Sequence, residues 1–221
     1  MLRERLQKVE ERIHAACARA GRQREQITLV AVTKIFPVEV MREAYALGLR
    51  HFGENYVQEF EGKAPALSDL SEARFHLIGH LQSNKARVAA GLFHVIETID
   101  SLKLANRLEQ VLAEPKEVMI EVKLEAEETK HGVNPSDLGE LIQAIQASPH
   151  LRLTGLMTIP PWNDDPEQTR PYFRRLAALG REHQLKHLSM GMSHDFEAAI
   201  DEGATHIRVG RGLFGERIRK A

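Results

Sequence analysis

Several features that mark large classes of proteins are missing from this sequence. It contains one cysteine, Cys17, so an internal disulfide is excluded, as expected in a reducing cytoplasm. The 30 basic and 31 acidic residues leave a net charge of -1, which gives no strong field for nucleic acid or membrane surfaces. No apolar run is long enough to cross a bilayer, and no signal peptide is recognisable. We therefore predict a cytoplasmic protein without nucleic-acid or membrane partners.

The sequence also has strongly periodic patterns. Apolar residues recur every three or four positions from Leu2 to Ala20, which predicts an N-terminal helix that ends near Gly21. β-Branched and apolar runs then predict eight strands, at residues 27–33, 51–53, 74–78, 95–99, 118–122, 153–159, 187–190 and 206–209. Helical patterns lie between them, at residues 38–47, 102–112, 138–145, 166–185 and 196–199.

This alternation predicts the fold class. Most strand starts are about 20 to 36 residues apart, the length of a βα repeat in a parallel sheet. We predict an α/β protein of one domain, residues 1–221: a (β/α)8 TIM barrel with an extra N-terminal helix. The alternative is an open doubly wound sheet, but no Gly-x-Gly-x-x-Gly follows the first strand. Residues 160–166 are predicted to form a loop.

The first predicted strand ends in a lysine, Lys34. Barrel enzymes carry their functional side chains at the C-terminal ends of strands. Partial desolvation there lowers the pKa of an amine and makes it a better nucleophile. Such a lysine suits a Schiff base with an aldehyde cofactor such as pyridoxal 5'-phosphate (PLP). Taken alone, Lys34 fits better a lysine that simply extends to solvent.

The glycine-rich end of the sequence predicts a phosphate site beside Lys34. Ser193 follows the seventh predicted strand, and Gly210, Arg211 and Gly212 follow the eighth. In barrels the loops after these strands bind phosphate through backbone N–H groups. Because strands one and eight are neighbours in a closed barrel, the lysine and this loop are expected to face one pocket. By itself, the loop also fits a glycine-rich turn.

Arg208 ends the eighth predicted strand. In that position its guanidinium would lie near the pyridine nitrogen of PLP. A permanent cation there disfavours protonation of the nitrogen and makes the ring a poorer electron sink. The alternative is an ion pair with a nearby acid such as Glu54.

Neither a metal set nor a carboxylate pair at close sequence spacing is recognisable at the predicted strand ends. His76 and His80 are four residues apart, which on a strand separates their rings too far to share an ion. The other histidines, of 11 in all, are scattered and fit surface or packing roles. We predict no metal site.

Six ordered motifs extend over essentially the whole chain: residues 31–34 (Ala-Val-Thr-Lys), 51–55 (His-Phe-Gly-Glu-Asn), 75–85 (Phe-His-Leu-Ile-Gly-His-Leu-Gln-Ser-Asn-Lys), 155–158, 188–193 and 208–215. Together they resemble the YggS/PROSC family of PLP homeostasis proteins, which is related in fold to the N-terminal barrel of alanine racemase. The resemblance implies PLP held on Lys34, phosphate contacts from Ser193 and the backbone at Gly210 and Arg211, and Arg208 near the ring nitrogen. The family often has threonine at the position of Arg211, so a side-chain hydroxyl contact would be lost here.

The predicted cofactor-binding residues all lie at strand ends: Lys34, Asn55, Ser193, Arg208, Gly210 and Arg211. The resemblance implies a PLP carrier without established catalysis, with recipient PLP apoenzymes as candidate partners, and we expect a monomer. The alternative is a small PLP-dependent amino acid racemase. A two-base racemase needs an acid–base group on the ring face opposite the lysine. Of the three tyrosines, only Tyr56 is placed to face the barrel mouth. No second domain that would supply such a group is expected after Gly215, so we favour the carrier.

Overall fold

A closed barrel of eight parallel strands forms the centre of the molecule. The computed structural model describes residues 1–125 and 131–216. Each strand pairs with the next along the chain, and the last pairs with the first. The strands are β1 (Thr28–Val32), β2 (His51–Glu54), β3 (Arg74–Leu77), β4 (Val95–Ile99), β5 (Lys116–Glu121), β6 (Leu151–Met157), β7 (His187–Met192) and β8 (His206–Val209). The predicted (β/α)8 barrel is confirmed.

Within the described residues, helices connect the strands and pack around the barrel. They are α1 (Leu2–Arg19), α2 (Val38–Ala46), α3 (Val57–Lys63), α4 (Ala86–Leu92), α5 (Leu102–Glu109), α6 (Leu138–Gln146), α7 (Arg170–Glu182), α8 (Phe196–Asp201) and α9 (Arg211–Phe214). The extra N-terminal helix is confirmed as α1, which packs against α8 and α9. Its apolar stripe buries Val9, Ile13 and Cys17. Burial raises the pKa of the Cys17 thiol, as expected for a packing residue.

One predicted helix is divided in the structure. Residues 166–185 form a short 3-10 turn, Pro166–Thr169, and then α7. Pro171, in the first turn of α7, explains the division. Proline has no N–H, so it cannot donate a helical hydrogen bond to a carbonyl of the preceding turn. Helices α3 and α4 have seven residues each, too few for their periodic patterns to stand out in the sequence.

The end of β7 departs from regular pairing. The register with β8 shifts between Ser189 and Met192. Gly191 lies within this shift with φ of 89°, and a Cβ there would approach the Cβ of Ala199 to 2.5 Å. Glycine is therefore required at the point where the chain leaves the barrel wall. This bend leads directly to Ser193.

No helix in the two described ranges combines the length and apolarity needed to cross a membrane.

Candidate functional site

The six predicted cofactor-binding residues line one cavity at the C-terminal ends of the strands. The cavity has a volume of about 430 Å³. Its lining consists of Val32, Lys34, Asn55, Ile78, Ile159, Trp162, Met192, Ser193, His194, Arg208, Gly210, Arg211 and Gly212. The expected proximity of Lys34 to the glycine-rich loop follows from the direct pairing of β1 with β8.

The turn that carries Lys34 is fixed on both sides of the lysine. Before it, the carbonyl of Thr33 accepts a hydrogen bond of 3.1 Å from Lys63 Nζ. After it, Ile35 adopts a φ of 71°, and its N–H donates to Glu59 at 2.6 Å. A β-branched residue rarely adopts this left-handed conformation, so the surrounding contacts must hold it there. The half-buried Lys34 thus projects from a constrained backbone.

A buried ionic cluster anchors this turn. Lys63 Nζ lies 2.6 Å from Glu59 and 3.0 Å from Glu54. The hydroxyl of Thr33 donates to the same Glu54 oxygen at 2.7 Å, whereas Glu54 Oε2 has no hydrogen-bond partner within the described ranges. Burial raises the pKa of Glu54, against the opposing effect of Lys63. This cluster could not be predicted from the sequence, because a Glu59–Lys63 pair at i and i+4 is usually a surface pair.

The loops after β7 and β8 present converging hydrogen-bond groups. The N–H groups of Gly210 and Gly212 donate to the Ser193 hydroxyl at 3.3 and 3.2 Å. Space here is limited, since a Cβ on Gly212 would lie 3.0 Å from Val209 Cγ1. The two N–H groups are thus directed towards one point at the start of α9. Converging donors of this kind are suited to binding an anion. The Arg211 side chain is exposed at the cavity edge.

Arg208 is a buried cation at the floor of the cavity, with 3% exposure. Its Nη1 donates to the Ser189 hydroxyl at 2.7 Å, and its Nη2 donates to the Thr158 carbonyl at 2.9 Å. Burial lowers the pKa of Arg208 and Glu97 opposes that shift, but a guanidinium remains charged at neutral pH. The alternative partner considered from sequence, Glu54, binds Lys63 instead.

The network continues through the barrel interior. Glu97 accepts hydrogen bonds from the Ser189 hydroxyl and from His76 Nδ1, the latter at 2.7 Å, and His76 Nε2 lies 2.9 Å from His51 Nδ1. Burial alone would raise the pKa of Glu97, but the hydrogen bond from His76 and nearby positive charges lower it to about 2. The prediction that the histidines other than His76 and His80 are scattered is wrong for His51 and His206, which both contact His76. Burial also lowers the pKa of the adjacent His206 to about 3.

Asn55 lies where the loops after β2 and β3 meet. A Cβ on Gly79 would come within 2.3 Å of the Asn55 carbonyl oxygen, so the two backbones are in close contact. Asn55 therefore borders both the main cavity and a neighbouring one that contains Tyr56 and His80. Tyr56 is 54% exposed and lines the neighbouring cavity, and it is not part of the lining of the cavity that contains Lys34.

Trp162 and His194 also line the main cavity, and the sequence analysis did not identify them as site residues. Their rings lie 4.8 Å apart. Trp162 Nε1 donates to the Asp164 carboxylate at 3.3 Å, and His194 Nε2 contacts the Asp164 carbonyl at 2.9 Å. The sequence offered one signal: the single tryptophan of the chain lies in a proline-rich loop, where packing in the core does not explain it.

The opposite part of the barrel mouth has different chemistry. His80, Asp100 and His131 follow β3, β4 and β5 and line a second cavity of about 360 Å³. Burial and the charge of Asp100 raise the pKa of Glu121 to about 7, against the opposing effect of Arg208. Anionic and imidazole groups dominate here, whereas amines and N–H donors dominate around Lys34.

The chain is similar to known proteins over almost its whole length. The family model for the alanine racemase N-terminal domain matches residues 5–218. The chain is 47% identical to the pyridoxal phosphate homeostasis protein of Aquifex aeolicus, covering 97% of each chain. It is 41% identical to the protein of that name from Escherichia coli K12, covering 96% of this chain and 95% of the relative. The structure of PipY from Synechococcus elongatus PCC7942 with PLP bound superposes with a TM-score of 0.84 at 37% identity, covering 97% of this chain and 100% of PipY.

Proposed function

Since the chain belongs to the pyridoxal phosphate homeostasis proteins, a family built on the alanine racemase N-terminal domain, we propose that it binds PLP and stores or delivers it. One observation carries the proposal: the Lys34 amine and the Ser193–Gly210–Gly212 donors line the same cavity. An amine and an anion site in one cavity match the aldehyde and the phosphate of PLP.

The residues of the cavity fit this cofactor by their chemistry. Lys34 would hold PLP as a Schiff base, and the Lys63 cluster would keep the lysine turn in place. Ser193 and the backbone at Gly210 and Arg211 would bind the phosphate, and Asn55 would border the bound ring. Arg208 would face the ring nitrogen. When bound, PLP supplies an electrophilic aldehyde carbon and an electron-withdrawing ring.

Arg208 favours a carrier over a racemase. Its guanidinium is buried and donates hydrogen bonds to Ser189 and Thr158. Because a guanidinium is a very weak acid, Arg208 would not transfer a proton to the ring nitrogen at neutral pH. A pyridine nitrogen beside it would stay unprotonated and would stabilise a carbanion poorly. Tyr56, the second base considered for a racemase, lies outside the lining of the Lys34 cavity. The Aquifex aeolicus and Escherichia coli relatives are likewise homeostasis proteins by name.

The wider proposal concerns the domain, the oligomeric state, the location and the recipients of PLP. We propose that residues 1–221 form a single domain that acts as a monomer in the cytoplasm and passes PLP to recipient PLP apoenzymes. The net charge of -1 and the single, buried cysteine are compatible with that setting.

Borohydride trapping tests the site directly. Reduction of the PLP-loaded protein, followed by peptide mass mapping, should place one pyridoxyl group on Lys34. Lys34→Ala should abolish the adduct and the imine absorbance, whereas Lys85→Ala, at the neighbouring cavity, should retain both. An adduct on Lys85 or Lys123 in the wild-type protein would contradict the proposed site.

A second experiment separates the carrier from a racemase. Loaded protein is incubated with L-alanine in deuterated water, and incorporation of deuterium at Cα is followed by NMR. We expect exchange far slower than typical enzyme turnover of roughly 1 to 1,000 per second. Rapid exchange with loss of optical purity, dependent on both Lys34 and Tyr56, would instead establish a racemase.

A further inference from the structure

Two histidines and an aspartate converge on the side of the barrel mouth away from Lys34. His80, Asp100 and His131 come from the loops after β3, β4 and β5, which are consecutive in the barrel. One potential ligand atom of each lies within 4.8 Å of those of the other two. His80 Nδ1 and Asp100 Oδ2 are 3.3 Å apart, and the two imidazole rings stack at 3.6 Å.

We propose that His80, Asp100 and His131 bind a divalent transition-metal ion of the Zn²⁺ or Co²⁺ class. Imidazole nitrogen suits Zn²⁺, Co²⁺ and Ni²⁺, and one carboxylate oxygen completes a three-ligand set. Three protein ligands leave a coordination position for water or for an oxygen or nitrogen donor of a small ligand. This set is independent of the His76–His80 spacing considered from the sequence, since His76 is buried against Glu97.

The surroundings support a site with an open position. The three side chains line a cavity of about 360 Å³, which has room for further ligands of the ion. Ser101 donates to Asp100 Oδ1 at 3.0 Å, so the carboxylate is oriented with Oδ2 towards His80. Such a hydrogen bond to a ligating carboxylate is the usual way in which a metal ligand is held in position. The buried carboxyl of Glu121 lies close enough to Asp100 for the two groups to interact electrostatically.

Metal binding requires a small rearrangement. Ligand atoms around a tetrahedral Zn²⁺ are about 3.3 Å apart at metal–ligand distances of about 2.0–2.2 Å, so the separations here must shorten by up to about 1.5 Å. Stacked rings direct their nitrogen lone pairs side by side, and one ring must turn its edge towards the ion. His131 is exposed and can rotate about its side-chain bonds. Coordination would therefore replace the ring stack.

Cobalt binding tests the proposal on the full-length, tag-free, PLP-loaded protein. Co²⁺ alone is titrated, and its visible absorption bands report both stoichiometry and geometry. We expect one ion per chain. His80→Ala, Asp100→Asn and His131→Ala should each weaken binding at least tenfold, whereas His14→Ala, an exposed histidine on α1, should leave it unchanged. Retained PLP absorbance would show that each variant is folded.

Two further results decide the outcome. Lys34→Ala protein, which should lack covalent PLP, should bind Co²⁺ as the wild type does, so the metal site and the cofactor site can fail separately. The proposal is overturned if Co²⁺ binding persists in His80→Ala and His131→Ala, if His14→Ala loses as much, or if no saturable binding occurs below about 1 mM.

Discussion

The two halves of the barrel mouth differ in chemistry although their strands have the same geometry. We call the ends of β1, β7 and β8 the donor side, where Lys34, Ser193 and Gly210 present amine, hydroxyl and N–H groups. We call the ends of β3, β4 and β5 the acceptor side, where His80 and Asp100 present imidazole and carboxylate groups. A parallel barrel supplies equivalent positions all round its edge, and the residue type at each strand end decides which ligand is favoured there.

Arg208 and Glu97 connect the two sides. Arg208 forms the floor of the donor-side cavity, and Glu97, on β4, receives the Ser189 hydroxyl that Arg208 also binds. The shared serine places a permanent cation and a low-pKa carboxylate in one buried network. The difference in charge between the two sides therefore depends on buried barrel residues as well as on the loops.

Removal of Arg208 should have the largest effect. Arg208→Met leaves Glu97 buried with less positive charge around it, which should cost about 3–5 kcal/mol of unfolding free energy, measured by urea denaturation. Arg175→Met, at an exposed position on α7, is the control and should change stability little. In the double variant with Glu97→Gln, we expect part of the loss to be recovered. An additive double variant would show that the two charges are not coupled.

The second prediction concerns the anion preference of the donor side. Pyridoxal, which lacks the phosphate, should bind at least about 100-fold more weakly than PLP, because two or more charge-assisted hydrogen bonds of about 1.5–3 kcal/mol each are lost. Titration of apoprotein, followed by imine absorbance, gives both affinities. His80→Ala, on the acceptor side, should leave their ratio unchanged. Equal affinities would mean that the loop after β8 is only a turn.

The third prediction uses the pH response of the acceptor side. The pKa of Glu121 is about 7 in the folded protein against an ordinary value of 4.5, so the folded state holds this proton more tightly. Its contribution to stability is complete below pH 4.5 and is lost as the pH rises through 7, by at most about 3.4 kcal/mol. Glu121→Gln should therefore lose less stability than the wild type across this range. Glu182→Gln, exposed on α7, should follow the wild-type curve; parallel curves for Glu121→Gln would contradict the assignment.

The smallest effect is expected at Ser193. Ser193→Ala should weaken PLP binding by about 0.5–1.5 kcal/mol, because one hydroxyl contact is lost while the N–H groups of Gly210 and Gly212 remain. Pyridoxal binding should not change, so the two ligands control for each other. A similar loss for both would indicate a general disturbance of the loop after β7.

Much of the donor side could be predicted from the sequence for a topological reason. Closure of a parallel barrel makes the first and last strands neighbours, so a strand-end lysine and a glycine-rich loop far apart in the chain had to meet. The run that marked β1 is mostly apolar and buried, which made its end clear. In β8, Ile207 and Val209 alternate with two polar residues, and all four are buried. The family resemblance supplied the expected role of each residue.

The buried ionic groups could not be predicted, because their partners lie on other strands and helices. Glu97 lies in the run Val-Ile-Glu-Thr-Ile, where periodicity alone does not distinguish an inward carboxylate from an outward one. Lys63 has the spacing of a surface pair with Glu59, and only packing against β1 and β2 buries it. The acceptor-side cluster depends on His131, which lies beyond the end of β5 in a loop without a periodic pattern.

The position of Trp162 has an optical consequence. It is the only tryptophan in the chain, it is 63% exposed, and it lines the cavity that contains Lys34. The emission of an exposed indole overlaps the absorption of a pyridoxal chromophore. Energy transfer from Trp162 to a chromophore in the same cavity would therefore quench the tryptophan fluorescence. The unlabelled protein would thus report loading and release of its ligand in real time, and transfer to a recipient would be seen as recovery of tryptophan emission.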